Sequence, residues 1–393
     1  MNISQLLYSK HCILVHNNRE YFINYRPIKN CIEILLSNSE ILQHFIFKYE
    51  NKKHQGEKSY AKQNSGNWWK YAEASIPSSA CILSLILYSD ATTTDTLGKS
   101  SLHSIYISLG NIPTWRRNKE DAKQLLGYFP ILFAKNEKEK ISPEFKKLVC
   151  ETFHKSLKFL LDPLFENENG IDYKINNRII WLFPKISTII GDWPEACTYS
   201  LTYKSASSNF PCHFCLVQKN DLIDTMQDQI ILRNYENMME NFNNNTSYSV
   251  SLEPVENYFW NIPNLNIYAA TVPDRMHHLD LSLYHYQIEF TKGILGKSSI
   301  DKMNERIGAI PTSGNCWSRK YPDIFQFKKI PDKFANLCEY IRIYSNLFDS
   351  QIYPDIFIRI YLDSFNSNIC EYIREFMRIY SNIIRINSWD IVG

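Results

Sequence analysis

The sequence predicts an α/β protein, and three observations carry that prediction. Residues 80–89, ACILSLILYS, form a continuous apolar run of strand length that stops at Asp90. Residues 179–190 form a second apolar run, closed by the acidic turn Asp192-Trp193-Pro194-Glu195. Between them Ser142-Pro143-Glu144 reads as a helix start: an N-cap, a proline at the first helical position and an acid in the first turn. Unbroken apolar runs of this length suit strands buried on both faces, as in a sheet covered by helices.

Composition sets the outer bounds. The chain has 393 residues, 44% hydrophobic and 14% aromatic, which is ample for packed cores and excludes wholesale disorder. The net charge of +2 gives no global field, so a nucleic-acid partner must be held by local patches. Of ten cysteines only Cys212 and Cys215 lie close together, a pattern of buried thiols plus one metal or redox pair rather than a disulfide framework. No apolar run approaches the ~20 residues that span a bilayer, and the N-terminal stretch lacks the pattern of a signal peptide. The expectation is an intracellular, soluble protein with no membrane partner.

Residues 1–50 carry short apolar runs without a clear period, and residues 48–62 are polar and basic, so 1–67 reads as an N-terminal remnant or linker. After the strand at 80–89, the polar ATTTDTLGKSS has turn chemistry and residues 105–109 read as a paired strand. Residues 128–133 supply a third. Phe145, Leu148, Val149, Phe153, Leu157 and Leu160 then recur at helical spacing. Asn167–Gly170 breaks that helix, and 178–190 is the next buried strand. A helix is predicted over 221–242, a loop over 241–249, and a further helix following Pro273 within 271–292.

Strand with terminal aspartate, two strands, helix, strand with terminal aspartate is the layout of an RNase H-like core. Asp90 and Asp192 on neighbouring strand ends would share divalent ions, and two Mg²⁺ (or Mn²⁺) about 3.5–4 Å apart serve in-line phosphoryl transfer. Either aspartate alone is read more readily as a turn cap.

Cys212-His-Phe-Cys215 has zinc-knuckle spacing, and a closed site needs further ligands from far along the chain. The candidates are His277, His278, Asp280 and His285; on a helix His277 and Asp280 share a face, whereas His278 points away. A redox pair would open a helix after a strand, and this pair follows Pro211 in a turn, so zinc is preferred over redox or plain buried thiols.

The segments LYSDATTTDTLGK, SLGNIP, GDWPEA, LTYKS, PCHFCLV, FWNIPNLNIY and ATVPDRMHHLDLSL, in this order from about Trp68 to Pro311, together resemble the Plavaka transposases. These are eukaryotic cut-and-paste DNA transposases related to the CACTA group. The resemblance implies an RNase H-like DDE core in which Asp90 and Asp192 are the first two metal-binding acids. It implies a structural Zn²⁺ at Cys212, Cys215 and His277 inside a mostly helical insertion, with the fourth ligand open among Asp280, His278 and His285. It implies a third acid, a Glu on a late helix. The expected position falls near Lys333, where a cation would oppose Mg²⁺; Asp332 lies beside it, and Glu339 is the nearest Glu that begins a plausible helix.

The expected organisation is therefore 1–67 N-terminal, 68–200 core, 201–300 zinc-binding insertion and 301–393 a helical C-terminal region. That last region contains a tandem duplication: Tyr321–Phe325 recurs as Tyr353–Phe357 and Cys338–Arg342 as Cys370–Arg374, each 32 residues on. The implied partner is DNA, the transposon terminal repeats, bound in the nucleus by a homo-oligomer if the copy is active. The rival expectation is a catalytically inactive remnant that binds DNA or protein, with Trp115–Lys119 as its best phosphate-contact patch.

Overall fold

The computed structural model describes residues 8–93, 101–166, 169–175, 178–222, 229–277 and 297–308. These fall into two compact units. One contains 8–51 and 62–274; the other contains 52–61, 275–277 and 297–308.

The first unit is built on one mixed sheet. Its strands are β1 (Ser9–His16), β2 (Arg19–Tyr25), β3 (Cys81–Thr93), β4 (Ser101–Leu109), β5 (Lys123–Phe129), β6 (Ile171–Ile175), β7 (Arg178–Gly191) and β8 (Thr271–Pro273). They lie in the order β1-β2-β5-β4-β3-β7-β8, with β6 also paired to β7. The β1–β2, β2–β5, β5–β4 and β4–β3 pairs are antiparallel; β3–β7 and β7–β8 are parallel. Asn17 and Asn18, both at positive φ, close the β1–β2 hairpin in the conformation a two-residue turn demands. Residues 9–25, within the segment set apart as 1–67, thus extend the main sheet.

The strand at 80–89 is present as β3 and runs past Asp90, with Ile82 to Leu87 all buried. Strand β4 begins earlier than the expected 105. The third strand occupies Lys123–Phe129 rather than 128–133, because Pro130 has no N–H to continue the ladder. Helix α1 (Ile28–Leu36) buries Ile28, Cys31, Ile32, Leu35 and Leu36.

Helix α2 (Pro143–Phe165) is the expected one. The Ser142 hydroxyl accepts the Phe145 N–H at 3.1 Å, and Phe145, Phe153, Leu157 and Leu160 are buried, while Val149 turns outward. Leu83, Leu85 and Leu87 of β3, Ile105, Ile107 and Leu109 of β4, and Phe153, Leu157 and Leu160 of α2 belong to one hydrophobic cluster. Each such fully buried side chain contributes roughly 1.5–3 kcal/mol.

The SLGNIP segment stitches this core to its surroundings. Asn111, fully buried, accepts the Ser84 N–H and donates to the carbonyls of Ile46 and Ile82 at 2.8–2.9 Å. A side chain at Gly110 would place its Cβ 1.8 Å from the Gln63 Oε1 and 2.3 Å from the Ser84 hydroxyl, so it would push aside the Gln63 and Ser84 side chains, which bond each other at 2.7 Å.

Helix α3 (Trp193–Ser200) follows β7 directly. The helix expected over 221–242 is shorter: α4 spans Tyr235–Asn243, started by a reciprocal Asn234–Asn237 capping box. Residues 231–233 instead pair with the cysteine knuckle described below. Residues 271–273, expected near a helix start, form β8 because they continue the parallel ladder on β7. In the second unit, Lys53–His54 and Glu57–Lys58 form a hairpin and α5 covers Lys297–Gly308. Among the described residues, no helix is long and apolar enough to cross a membrane. Glu339, Lys333, Asp332, Asp280, His278, His285 and the tandem duplication lie outside the described residues.

Candidate active site

Strands β3 and β7 run parallel with Tyr88 opposite Ile190, so two residues further along each strand brings Asp90 level with Asp192. Adjacent strands are about 4.8 Å apart, which puts the two aspartates at neighbouring ends of one sheet edge. The same holds on the far side of β7, where Pro273 pairs with Gly191 and the Asp274 N–H donates to the Gly191 carbonyl at 2.7 Å. Asp274 therefore stands beside Asp192 on the third parallel strand. The sequence reading missed it, because a three-residue strand followed by Asp carries little pattern.

Electrostatics agree with this placement. The Tyr88 hydroxyl is pushed up to about 12, first by burial and then by the charges of Asp90, Asp274 and Asp192. The charges of three carboxylates thus reach one phenol at this end of the sheet.

Asp192 also caps α3. Its Oδ1 accepts the Glu195 N–H at 2.7 Å, which satisfies one of the orphan donors of the helix start. The cap and a metal-ligand role are compatible, since a carboxylate has two oxygens and about four lone-pair sites. Asp90 accepts the Thr92 hydroxyl at 3.0 Å through Oδ2.

Behind the acids lies a buried polar network. The Glu195 carboxylate, 7% exposed, accepts the Ser89 hydroxyl and the His103 Nε2–H, the latter at 2.7 Å, and the Tyr199 hydroxyl donates to Ser89 at 2.9 Å. Burial is the largest influence on Glu195 and pushes its carboxyl up, yet the hydrogen bonds and charge of His103 and the Ser89 hydroxyl together bring it below the ordinary value. The signal for this network was in the sequence: His103 is in phase with Ile105, Ile107 and Leu109, the inward face of β4, and Ser89 with Leu83, Leu85 and Leu87.

The second constellation is the knuckle at Cys212 and Cys215. Cys215 bridges to Leu232, the Leu216 N–H donates to the Ile231 carbonyl at 2.9 Å, and the Arg233 N–H donates to the Phe214 carbonyl at 2.8 Å. Arg233, buried almost completely, anchors the turn through the carbonyls of Cys212 and Phe210 at 3.0 and 3.2 Å. The Phe214 N–H points at the Cys212 sulfur, 3.4 Å away. A hydrogen bond from Cys215 holds the Cys212 thiol well below its usual range, despite burial, while the same bond drives Cys215 upward. A sulfur poised as thiolate and a backbone N–H directed at it fit one half of a tetrahedral zinc site. His213 reaches the Thr271 carbonyl at 3.3 Å, so the knuckle touches β8. His277 belongs to the second unit and Asp280 is not among the described residues, so the structure neither joins nor separates them from the cysteines. Among the described residues, no group of three or more His, Cys, Asp or Glu side chains is assembled around one metal position.

The proposed phosphate patch is corrected in part. Arg116 is buried and spends its guanidinium on a two-pronged pair with Asp121 at 2.6 and 2.7 Å, and Arg117 donates to the Ile112 carbonyl at 2.8 Å. Arg116 is thus a structural cation, paired with Asp121 five residues further along the chain and outside the Trp115–Lys119 patch. An open groove of about 1220 Å³, lined by Lys29, Glu33, Asp121, Asp172, Lys174 and Trp181 among others, includes none of the residues at the acid end.

A family model described as Plavaka transposase matches residues 9–289. The match includes β1 and β2 and so reaches further toward the N-terminus than the motifs that begin at Trp68. No curated protein matches the chain. With well over half its length matched and the motif-bearing segments inside that span, the chain belongs to the Plavaka transposase family.

Proposed function

We propose that this chain is a DDE-type transposase in which Asp90 and Asp192 hold divalent metal for phosphodiester hydrolysis and strand transfer at transposon ends. The observation that carries the reading is the parallel β3–β7 register, whose last pair, Tyr88 and Ile190, stands two residues before each aspartate. The order β5-β4-β3-β7-β8, antiparallel for the first three strands and parallel for the last three, together with α2 between β5 and β7, supports an RNase H-like core.

Mg²⁺ or Mn²⁺ supplies Lewis acidity and an activated water when bound. The chain contributes two carboxylates of defined level, Asp192 oriented by its cap bond and Asp90 by Thr92. DNA is the substrate that family membership points to, and nuclear localisation follows from that substrate. Glu339 is the proposed third acid, and Zn²⁺ at Cys212 and Cys215, completed by His277 and Asp280, would hold the 201–300 insertion.

A Mn²⁺-dependent nicking assay on DNA bearing the element's terminal repeats tests the reading. Asp90→Asn and Asp192→Asn should each lower nicking at least about a hundredfold, since even outer-shell changes at metal sites cost ~10–100-fold. Nicking at the wild-type rate in either variant would sink it. Lys333, at the position expected for the third acid, favours a second reading: an inactive remnant that binds DNA without metal. Folded wild-type protein that binds terminal-repeat DNA in a steeply salt-dependent way, yet never nicks it, would support the remnant.

A further inference from the structure

Glu195 is a carboxylate buried at a cost, and the metal chemistry proposed above does not use it. Capping by Asp192 engages only the Glu195 backbone N–H, so any residue except proline would serve the cap at this position. The side chain therefore needs a separate reason. Its carboxylate holds Ser89, the residue before Asp90, and His103, which lies across the β3–β4 ladder from Ala91, the residue after Asp90. Tyr199, one helical turn on from Glu195, clamps Ser89 from the same helix. Gly191 makes the arrangement possible: a Cβ there would lie 2.8 Å from the Glu195 Cγ.

We infer that Glu195 and His103 form a positioning pair that fixes Asp90 relative to Asp192 for shared metal binding. The inference rests on the reading of those two aspartates as metal ligands. The β3–β7 ladder ends at Tyr88 and Ile190, so without the pair the end of β3 is tied to α3 by the single Tyr199–Ser89 hydrogen bond. Metal constellations need their ligands held within about 0.5 Å by locked neighbours, and a buried carboxylate whose Oε1 accepts both Ser89 and His103 supplies that rigidity.

The test is Mn²⁺ titration of the full chain by calorimetry, with folding checked by circular dichroism. Wild type should bind Mn²⁺ and Asp90→Asn should not. Glu195→Gln keeps the side-chain shape and removes the charge, and should weaken Mn²⁺ binding about tenfold or more. Tyr199→Phe, which deletes a single hydroxyl, should weaken it in the same direction by less. His154→Gln, which loosens the contact between α2 and α3 without touching the network, should bind like wild type. Wild-type affinity in Glu195→Gln, or an equal loss in His154→Gln, would overturn the positioning role. Should Glu195→Gln fail to fold, wild-type affinity in Tyr199→Phe overturns it instead. A wild-type protein with no Asp90-dependent Mn²⁺ binding would overturn the metal reading itself, and the inference with it.

Discussion

His154 lies on α2 fully inside the protein, its Nε2 donating to the Thr198 carbonyl and its Nδ1 accepting the Tyr258 N–H, both at 3.2 Å. Burial lowers its pKa to about 4, from an ordinary 6.5. The folded state therefore refuses a proton that the unfolded chain accepts below about pH 6.5. Between pH 6.5 and 4 the unfolded state binds more protons, so stability rises with pH across that window and is lost as acid is added. The full shift corresponds to about 3 kcal/mol. Urea unfolding of wild type should show that loss between pH 6.5 and 4, and His154→Gln should flatten it; an unchanged slope in the variant would contradict the assignment. The same scale explains why half of the site was readable. Asp90 and Asp192 announce themselves as acids that end apolar runs. Glu195 looks like an ordinary first-turn acid, and only its three-dimensional neighbours, Ser89 and His103, give it a role.

The elements were legible where one physical rule dominated. Strands β3 and β7 are predominantly apolar runs, and α2 carries a cap, a first-turn proline and a helical period, so local and tertiary preferences agree. Legibility failed where pairing partners decide. Residues 231–233 have the apolar content of a helix end, yet they pair with the knuckle, and Arg233 is drawn inside to hold its carbonyls. Strand β8 is three residues long and exists only because β7 offers it an open parallel edge. The knuckle carries the element-scale prediction. Elemental analysis of the purified chain should find about one zinc per protein, and Cys212→Ser and Cys215→Ser should each lose it. A metal-free wild type, or zinc retained in both variants, would contradict the proposed centre.

At the scale of the molecule, the sheet brings three parallel strands side by side and carries an aspartate at the same edge of each: Asp90 near the end of β3, Asp192 just after β7 and Asp274 just after β8. Strand order, rather than any single residue, creates this acidic edge, and helices α2 and α3 pack behind it through Phe153 and Tyr199, whose rings meet at 5.2 Å. Membership of the Plavaka transposase family gives that edge its proposed work on DNA. The claim on which the rest depends is that Asp90 and Asp192 share metal. Anomalous diffraction from crystals of the full chain grown with Mn²⁺ tests it most directly. The account predicts a peak within about 2.5 Å of both carboxylates. Mn²⁺ bound elsewhere, with both carboxylates bare at saturating concentration, would contradict it.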